Sequence, residues 1–278
     1  MTRIVGVPEQ FNMPWQKLRG VEWSDISLGT GEMCRMLREG ECDASVLLLE
    51  GAVADIVKNG GPHRIVAVCV SSPLTWGVHV RADRSDLRSV DDLRDKTFGV
   101  SRHGSGSHIM AQVLAKGWAT PPRFEVVGNL AGASKALSEG RADAFMWEVL
   151  TTKHMVDSGE WKCIGTIDTP WEPFVLSVRE AVLADAAARE GVRDAVRAAR
   201  DAARAIKAHP SSVVPLIAER YGLQSADVER FVAGVEWRLD APPSDEMLRE
   251  VVSTLQASGV LPPESTAGDL SRLVCKME

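Results

Sequence analysis

The run Gly99-Val-Ser101-Arg-His103-Gly104-Ser105-Gly106-Ser107-His108-Ile-Met-Ala111 carries the densest chemistry in the 278-residue chain. An apolar stretch leads into a Gly/Ser loop and then a helical pattern. Backbone N–H groups of such a loop, with those of the first helical turn, suit a carboxylate, sulfonate, phosphate or polar ring edge. Gly104 and Gly106 allow close backbone approach, and Ser101, Ser105 and Ser107 add hydroxyls. The run is not a P-loop, because no Lys-Ser/Thr follows, and it lacks the third glycine of a dinucleotide fingerprint. It is not a G-x-S-x-G nucleophile elbow either. A plain strand–helix turn is the competing reading. His103 and His108 are five apart, which is not the spacing of a helical metal pair, and no Cys, Asp or Glu completes a ligand pattern. His108 is therefore expected as a helix-cap or ligand donor, and no metal site is expected.

Two acids and three tryptophans extend this set. Glu50 (Leu47-Leu-Leu-Glu50-Gly51) and Glu148 (Phe145-Met-Trp147-Glu148) each follow an apolar run. Carboxylates so placed do acid–base work, accept from a ligand amino group, or serve as ordinary helix N-terminal acids. Trp76, behind Ser71-Ser72-Pro73-Leu-Thr75, joins Trp147 and Trp171, in Thr169-Pro170-Trp171-Glu-Pro173-Phe174, at expected strand ends. Each offers a flat face and one N–H donor at a surface or cleft; packing at the core edge is the alternative. Trp118, Trp161 and Trp237 read as packing residues, and Trp15 and Trp23 are unassigned. The chain has 8 Trp against 6 Phe and 1 Tyr, so the aromatic composition itself points at these positions.

The elements that must hold these residues alternate over the first 180 residues. Strand patterns are Ile4–Val7, Ile26–Leu28, Ala44–Leu49, Ile65–Val70, Trp76–Val80, Thr97–Val100, Phe124–Val127 and Ala144–Trp147. Helical patterns are Met33–Arg38, Ala52–Lys58, Val90–Leu93, Ser107–Lys116 and Ala133–Ser138. Apolar strands between helices imply parallel strands covered on both faces, an α/β fold. The last hundred residues read as helices, the longest an Ala/Arg-rich amphipathic stretch over Ala181–His209 with Val192, Val196, Ala199, Ala203 and Ile206 on one stripe. Val213–Tyr221, Ala226–Val235, Asp245–Ser258 and Ala267–Lys276 follow. Leu37-Arg-Glu-Gly40-Glu-Cys-Asp43-Ala44 recurs as Leu137-Ser-Glu-Gly140-Arg-Ala-Asp143-Ala144. Each copy ends a helix on Gly, turns through Asp and enters an apolar strand. Two similar lobes are implied, each aiming strand carboxyl ends at something, where ligands of open α/β sheets bind.

Composition narrows the function classes. Net charge is −6, and the basic residues of Ala181–His209 are interleaved with acids, so a nucleic-acid surface is disfavoured. Cys34, Cys42, Cys69, Cys163 and Cys275 form no C-x-x-C pair and are odd in number, which opposes a disulfide framework and implies buried thiols in a reducing compartment. No stretch has the length of a membrane span. With Met1 as the native start and no signal-peptide pattern behind it, the expectation is a cytoplasmic protein.

In this order the motifs resemble the nitrate/sulfonate/taurine-type substrate-binding proteins and the related thiamine-pyrimidine synthase family. The resemblance runs through Leu49-Glu50-Gly51, Leu93-Arg-Asp-Lys-Thr-Phe-Gly99-Val-Ser101, the Gly104–His108 loop, Ala144–Glu148 with Thr151-Thr152-Lys153, and Thr169-Pro170-Trp171. It covers about residues 1–180 and is closest to a signal-less branch. It implies an α/β, two-lobed type 2 periplasmic-binding-protein-like fold with a helical C-terminal region and a cleft between lobes. Trp76–Val80 and Phe174–Val178 would be crossover strands, with residues 1–79 and 178–278 as lobe one and 80–177 as lobe two. Hinge closure around a ligand is the implied motion.

The implied function is non-catalytic binding of a small polar metabolite, a thiamine-type aminopyrimidine or small sulfonate, with no cofactor. The implied ligand set is Pro8, Glu9, Gln10, Phe11, Glu50, Gly51, Ser71, Ser72, Thr75, Trp76, Ser101, Gly104, Ser105, Gly106, Ser107, His108, Trp147, Glu148, Thr169 and Trp171. The alternative is an enzyme of thiamine-pyrimidine or related small-metabolite biosynthesis, for which Lys153 and His108 are the candidates. A third reading is a sensor or scaffold that binds a partner through Ala181–His209. The chain departs from the family in lacking the signal peptide of transport members and the cysteine-rich motif of the eukaryotic synthases. A permease partner is left open.

Overall fold

Gly40 and Gly140, the glycines of the duplicated stretch, both take the left-handed backbone, with φ of 78° and 71°, in the computed structural model, which describes residues 1–265 and 267–277. The aspartate three residues on does the same job in each copy. The Asp43 N–H donates to the Arg3 carbonyl at 2.9 Å while its carboxylate accepts from the Arg3 N–H at 2.8 Å. The Asp143 N–H donates to the Thr97 carbonyl at 2.7 Å and its carboxylate accepts from the Thr97 N–H at 3.0 Å. A guanidinium braces each: Arg3 on Asp43 at 3.0 Å, Arg84 on Asp143 at 2.9 Å. The repeat is thus a clamp that fixes where one strand starts against its parallel neighbour.

The strands are β1 (Thr2–Gly6), β2 (Val21–Asp25), β3 (Ala44–Leu48), β4 (His63–Val70), β5 (Thr75–Arg81), β6 (Thr97–Val100), β7 (Arg123–Val126), β8 (Ala144–Glu148), β9 (Trp161–Asp168) and β10 (Phe174–Arg179). The helices are α1 (Gly29–Glu39), α2 (Leu49–Asn59), α3 (Gly106–Leu114), α4 (Leu130–Ser138), α5 (Lys153–Asp157), α6 (Glu180–Ala184), α7 (Ala186–Ala208), α8 (Val214–Tyr221), α9 (Ser225–Gly234) and α10 (Asp245–Ala257). The strands form two five-stranded sheets, ordered β2-β1-β3-β10-β4 and β7-β6-β8-β5-β9. The two orders correspond position by position. In each sheet the fourth strand runs against both of its neighbours: β10 is antiparallel to β3 and β4, and β5 is antiparallel to β8 and β9. Both sheets are therefore mixed rather than wholly parallel. The chain enters the second sheet through β5 and returns to the first through β10.

The compact units are Met1–Pro73 with Trp171–Glu278, and Leu74–Pro170. Residues 79/80 and 177/178, where the sequence suggests the division, lie inside β5 and β10, and each of these strands belongs whole to one unit. In the first unit Val46 and Leu47 of β3 and Val175 and Leu176 of β10 are at most 1% exposed, as expected of central strands covered on both faces. α7 buries Val192, Val196, Ala199, Ala203 and Ile206, the expected stripe, with Asp185 capping its start by accepting from the Ala188 N–H at 2.8 Å. A second cluster joins Ile206 to Val214, Ile217, Val228 and Val232 of α8 and α9. In the second unit Phe145 and Trp161 pack with Ala133, Ala136 and Leu137 of α4. Among the described residues no helix is long and apolar enough to cross a membrane.

Three local readings are corrected. The second strand is Val21–Asp25, not Ile26–Leu28; it is a polar edge strand, so the apolar triplet after it drew the assignment. β9 carries no continuous apolar run, its burial alternates at the sheet edge, and it was missed. The expected helix Ala267–Lys276 is a 3-10 turn over Ala267–Arg272, after which Val274 bridges Ile65 beside β4; residue 266 lies outside the described residues.

The clamp yields a test. Gly140 has nothing within 4 Å of an added Cβ, so Gly140→Ala isolates the backbone cost of the left-handed conformation and should lower stability by about 1 kcal/mol. Asp143→Ala removes a half-buried, charge-assisted strand contact and should cost about 1.5 kcal/mol. Urea denaturation reads both, and unchanged midpoints would mean that the duplicated turn is incidental to folding.

Candidate functional site

Because the reversed strands run opposite to the rest, their amino ends lie beside the carboxyl ends of the parallel strands. Phe174 faces Leu48, and Trp76 faces Glu148. One edge of each sheet therefore collects loops from several strands. At this edge of the first sheet lie the segment Pro8–Phe11 after β1, Glu50 and Gly51 after β3, Ser71 and Ser72 after β4, and Trp171 ahead of β10. At the matching edge of the second lie Ser101–His108 after β6, Trp147 and Glu148 at the end of β8, Thr75 and Trp76 at the start of β5, and Thr169 after β9. Every residue expected from sequence falls at this edge of its own sheet.

In the first unit the Trp171 indole N–H donates to Glu50 at 3.0 Å, and both side chains are at most 2% exposed. Phe11 packs on Phe174 and Phe231 at centroid distances of 5.1 and 5.0 Å, and its carbonyl accepts from the Trp237 indole at 2.8 Å. Gln10 is buried, Pro8 is exposed, and the Glu9 carbonyl accepts from the Tyr221 hydroxyl at 3.1 Å. Ser71 and Ser72 bond the backbone of Glu236, the Ser71 N–H to its carbonyl at 2.8 Å and the Ser72 hydroxyl from its N–H at 3.1 Å. They tie the 235–239 segment to the end of β4. Gly51 sits against Thr30, whose Cγ2 would lie 2.3 Å from an added Cβ, so it lets α1 and α2 approach.

In the second unit the Gly/Ser loop is internally wired. Ser105 caps α3 by accepting from the His108 N–H at 3.4 Å and donates to the Arg102 carbonyl at 2.8 Å. Ser107 accepts from the Ser101 N–H at 3.1 Å and touches the Ser105 hydroxyl at 3.0 Å. His108 Nδ1 accepts from the Gly104 N–H at 3.2 Å, so its neutral ring carries the proton on Nε2 and donates to the Gln112 side chain 3.0 Å away, whose amide then turns its oxygen to the ring. Burial, and then the charge of nearby His103, push the His108 pKa down to about 4. His108 is a cap support, as one of the sequence readings had it. Among the described residues no hydrogen bond takes up the N–H groups of Gly106 and Ser107, the first two of α3. The Ser101 hydroxyl and the Trp76 indole N–H are likewise buried without a partner. These four groups are what the edge has to offer a ligand.

The two acids are occupied. Glu148 accepts from the Leu150 and Thr151 N–H groups at 3.0 and 2.8 Å and from the Thr151 hydroxyl at 2.8 Å, closing its own turn. Glu50 holds Trp171 and belongs to the other unit. Trp76 and Trp147 meet edge-on at 6.3 Å, and Trp147 stacks on Phe145 at 5.5 Å. Trp76 is 4% exposed and Trp147 half-buried, so Trp76 turns only its edge outward. The Thr75 hydroxyl donates to Asp168 at 2.6 Å, and Thr169 accepts from the Leu74 N–H at 3.0 Å, which staples the start of β5 to the end of β9. Lys153 pairs with Asp157 at 2.6 Å.

Sequence reasoning missed two buried histidines. His79 on β5 donates from Nε2 to the Thr152 hydroxyl at 2.8 Å, because that hydroxyl itself donates to the Glu148 carbonyl at 3.0 Å. His79 thus backs the Glu148 turn from below, and burial lowers its pKa to about 4. In the first unit His63 lies 2.6 Å from the Ser177 hydroxyl and 3.1 Å from Asp55. Burial opposes ionisation of Asp55, but hydrogen bonds from His63 and Asn59 and the charge of Arg38 outweigh it and hold its pKa low. With Ser177 and His63 fully buried and Asp55 5% exposed, this relay pins α2 to β4 and β10. Cys34 completes a group with Asp55 and His63 whose ligand-type atoms lie within 4.8 Å of one another. No spacing in the sequence signals either constellation, since the partners come from separate elements.

A neutral buried histidine makes stability fall with acid. Between pH about 6.5 and 4 the unfolded chain binds protons that native His79 and His108 do not, so stability rises with pH across this window. Each contributes at most about 1.4 kcal/mol per pH unit. Unfolding free energy measured by urea titration at pH 7, 6 and 5 should decline steeply, and His79→Gln should flatten the decline. A slope indifferent to both histidines would contradict the tautomers assigned above.

The arrangement has close relatives among solved structures. The model of the Ca3427-like PBP family matches residues 76–167, which hold β5 to β9. The Candida albicans CA3427 gene product, which has the generic periplasmic binding protein fold, is 25% identical over 100% of this chain and 97% of its own, with a TM-score of 0.89. The alkanesulfonate-binding protein SsuA from Xanthomonas axonopodis pv. citri, bound to MOPS, is 17% identical over 99% and 98%, with a TM-score of 0.81. The periplasmic nitrate-binding protein NrtA from Synechocystis PCC 6803 is 13% identical over 98% and 85%, with a TM-score of 0.75. No curated protein matches the chain significantly. With its duplicated sheet order and reversed fourth strands, this chain has the type 2 periplasmic-binding-protein-like fold that these solved structures share.

Proposed function

We propose that the chain is a non-catalytic binding protein for a small anion of the sulfonate class, held by the loops at the carboxyl edge of the second sheet. The observation that carries this reading is the inventory of spare polar groups at the second sheet's edge. The Gly106 and Ser107 N–H groups and the Trp76 indole are donors only, and the Ser101 hydroxyl can donate. The open Gly106 and Ser107 N–H groups at the start of α3 favour negative charge, with the helix dipole behind them. Half-buried Trp147, packed edge-on against Trp76, offers apolar surface for an organic tail.

The aminopyrimidine variant of the reading has less support. An exocyclic amino group needs an acceptor, and the Glu148 carboxylate already closes its own turn while Glu50 already accepts from Trp171. The relatives support the sulfonate class: SsuA binds alkanesulfonates and NrtA nitrate. We infer that the binding takes place in the cytoplasm. Cys34, Cys42 and Cys69 are buried free thiols and Cys163 an exposed one, as a reducing compartment permits.

Isothermal titration calorimetry against MOPS, taurine, nitrate and a thiamine-type aminopyrimidine tests the reading. A sulfonate is expected to bind, and Trp76→Phe, which keeps the ring face but loses the N–H, should weaken it about fivefold. Ser101→Ala should weaken it to a similar or smaller degree. Absence of binding by every sulfonate at millimolar concentration, with the protein folded, would overturn the ligand class.

A further inference from the structure

The first unit contains a cavity of about 600 Å³ away from the carboxyl edge of its sheet. Its floor is Val66 and Ala67, in the middle of β4. β4 is the edge strand, and two segments cover that edge on either side of this point. On one side the Val68 N–H donates to the Ala241 carbonyl and the Leu239 N–H to the Val68 carbonyl, both at 2.8 Å. On the other the Ile65 N–H donates to the Leu273 carbonyl at 2.9 Å and the Cys275 N–H to the Ile65 carbonyl at 3.0 Å. The cavity is the gap between the two covers.

Its walls are charged. Arg193, Arg197 and Arg200 recur at i, i+4 and i+7 on α7, so they share one helix face, and Lys276 also lines the cavity. Glu190 and Asp240 are the acids in the lining, which leaves 4 − 2 = +2 in a chain of net −6. Asp240 is further neutralised by Arg238, at 2.8 Å. Glu190 is shared between Arg193 at 3.2 Å and Arg197 at 2.9 Å, and Arg197 also pairs with Asp194. The Arg193 Nε is buried without a partner. The Arg200 Nε donates to the Leu239 carbonyl at 3.0 Å, which fixes that guanidinium in place.

We propose that this cavity is a second binding site, for a small multiply charged anion of the polyphosphate class. Guanidinium forks grip phosphate oxygens in pairs, which a compact ammonium does not do. The volume lies within the ordinary range of small-molecule sites. None of its lining residues belongs to the sheet-edge site, so the two bind independently, and this site stands whether or not the sulfonate reading does.

Calorimetric titration with pyrophosphate at low salt tests it, with three variants in parallel. Arg193→Ala/Arg197→Ala should weaken pyrophosphate binding at least tenfold. Glu190→Gln removes the competing carboxylate and should tighten it severalfold. Arg141→Ala/Arg204→Ala, which removes the same charge from exposed positions elsewhere, should leave it within twofold. Circular dichroism confirms that each variant is folded. No pyrophosphate binding by the unaltered chain at millimolar concentration, or an equal loss in both double-arginine variants, would overturn the site.

Discussion

The turn aspartate is the constraint on which the rest depends. Asp43 and Asp143 each close a ring with a residue at the start of the neighbouring parallel strand, Arg3 of β1 and Thr97 of β6, by a backbone N–H in one direction and a carboxylate in the other. A one-residue slip in a strand turns every side chain to the opposite face. By fixing the start of β3 on β1 and of β8 on β6, the clamps set the carboxyl ends four or five residues on. Glu50, Trp147 and Glu148 therefore arrive at the sheet edge with a defined facing.

The reversed strands complete the arrangement. Each delivers its amino end to the same edge and carries a tryptophan there, Trp76 on β5 and Trp171 just ahead of β10. Each tryptophan meets the acid-bearing end of the adjacent strand: Trp76 pairs in register with Glu148, and Trp171 bonds Glu50. The acids settle their own surroundings, while the first turn of α3 keeps the Gly106 and Ser107 N–H groups open. Hydrogen-bond satisfaction thus divides the edge into a rigid acidic frame and a small set of open donors. Donors that are fixed beforehand pay little ordering cost on binding.

Local periodicity and turn chemistry made the frame legible from sequence. The Gly-x-x-Asp repeat, the Gly/Ser loop, the α7 stripe and most strands are statements about neighbouring residues, and they hold in the fold. Partnership at a distance was not legible. Glu148 reads as a ligand group, and nothing local in the pattern shows that its carboxylate also closes the turn two and three residues downstream. Trp76 and Trp171 read as surface tryptophans and are nearly sealed. Ser71 and Ser72 looked like loop hydroxyls and instead hold residue 236. β2 and β9 are edge strands with weak apolar patterns, and His79 and His63 find their partners across elements 73 and 114 residues apart.

The central claim is that the open donors at the carboxyl edge of the second sheet hold a small anion. Hydrogen exchange, with and without a saturating sulfonate such as MOPS, tests it most directly. The account predicts slowed exchange in the complex at the amides of Gly106 and Ser107. Unchanged exchange at Gly106 and Ser107 would contradict it.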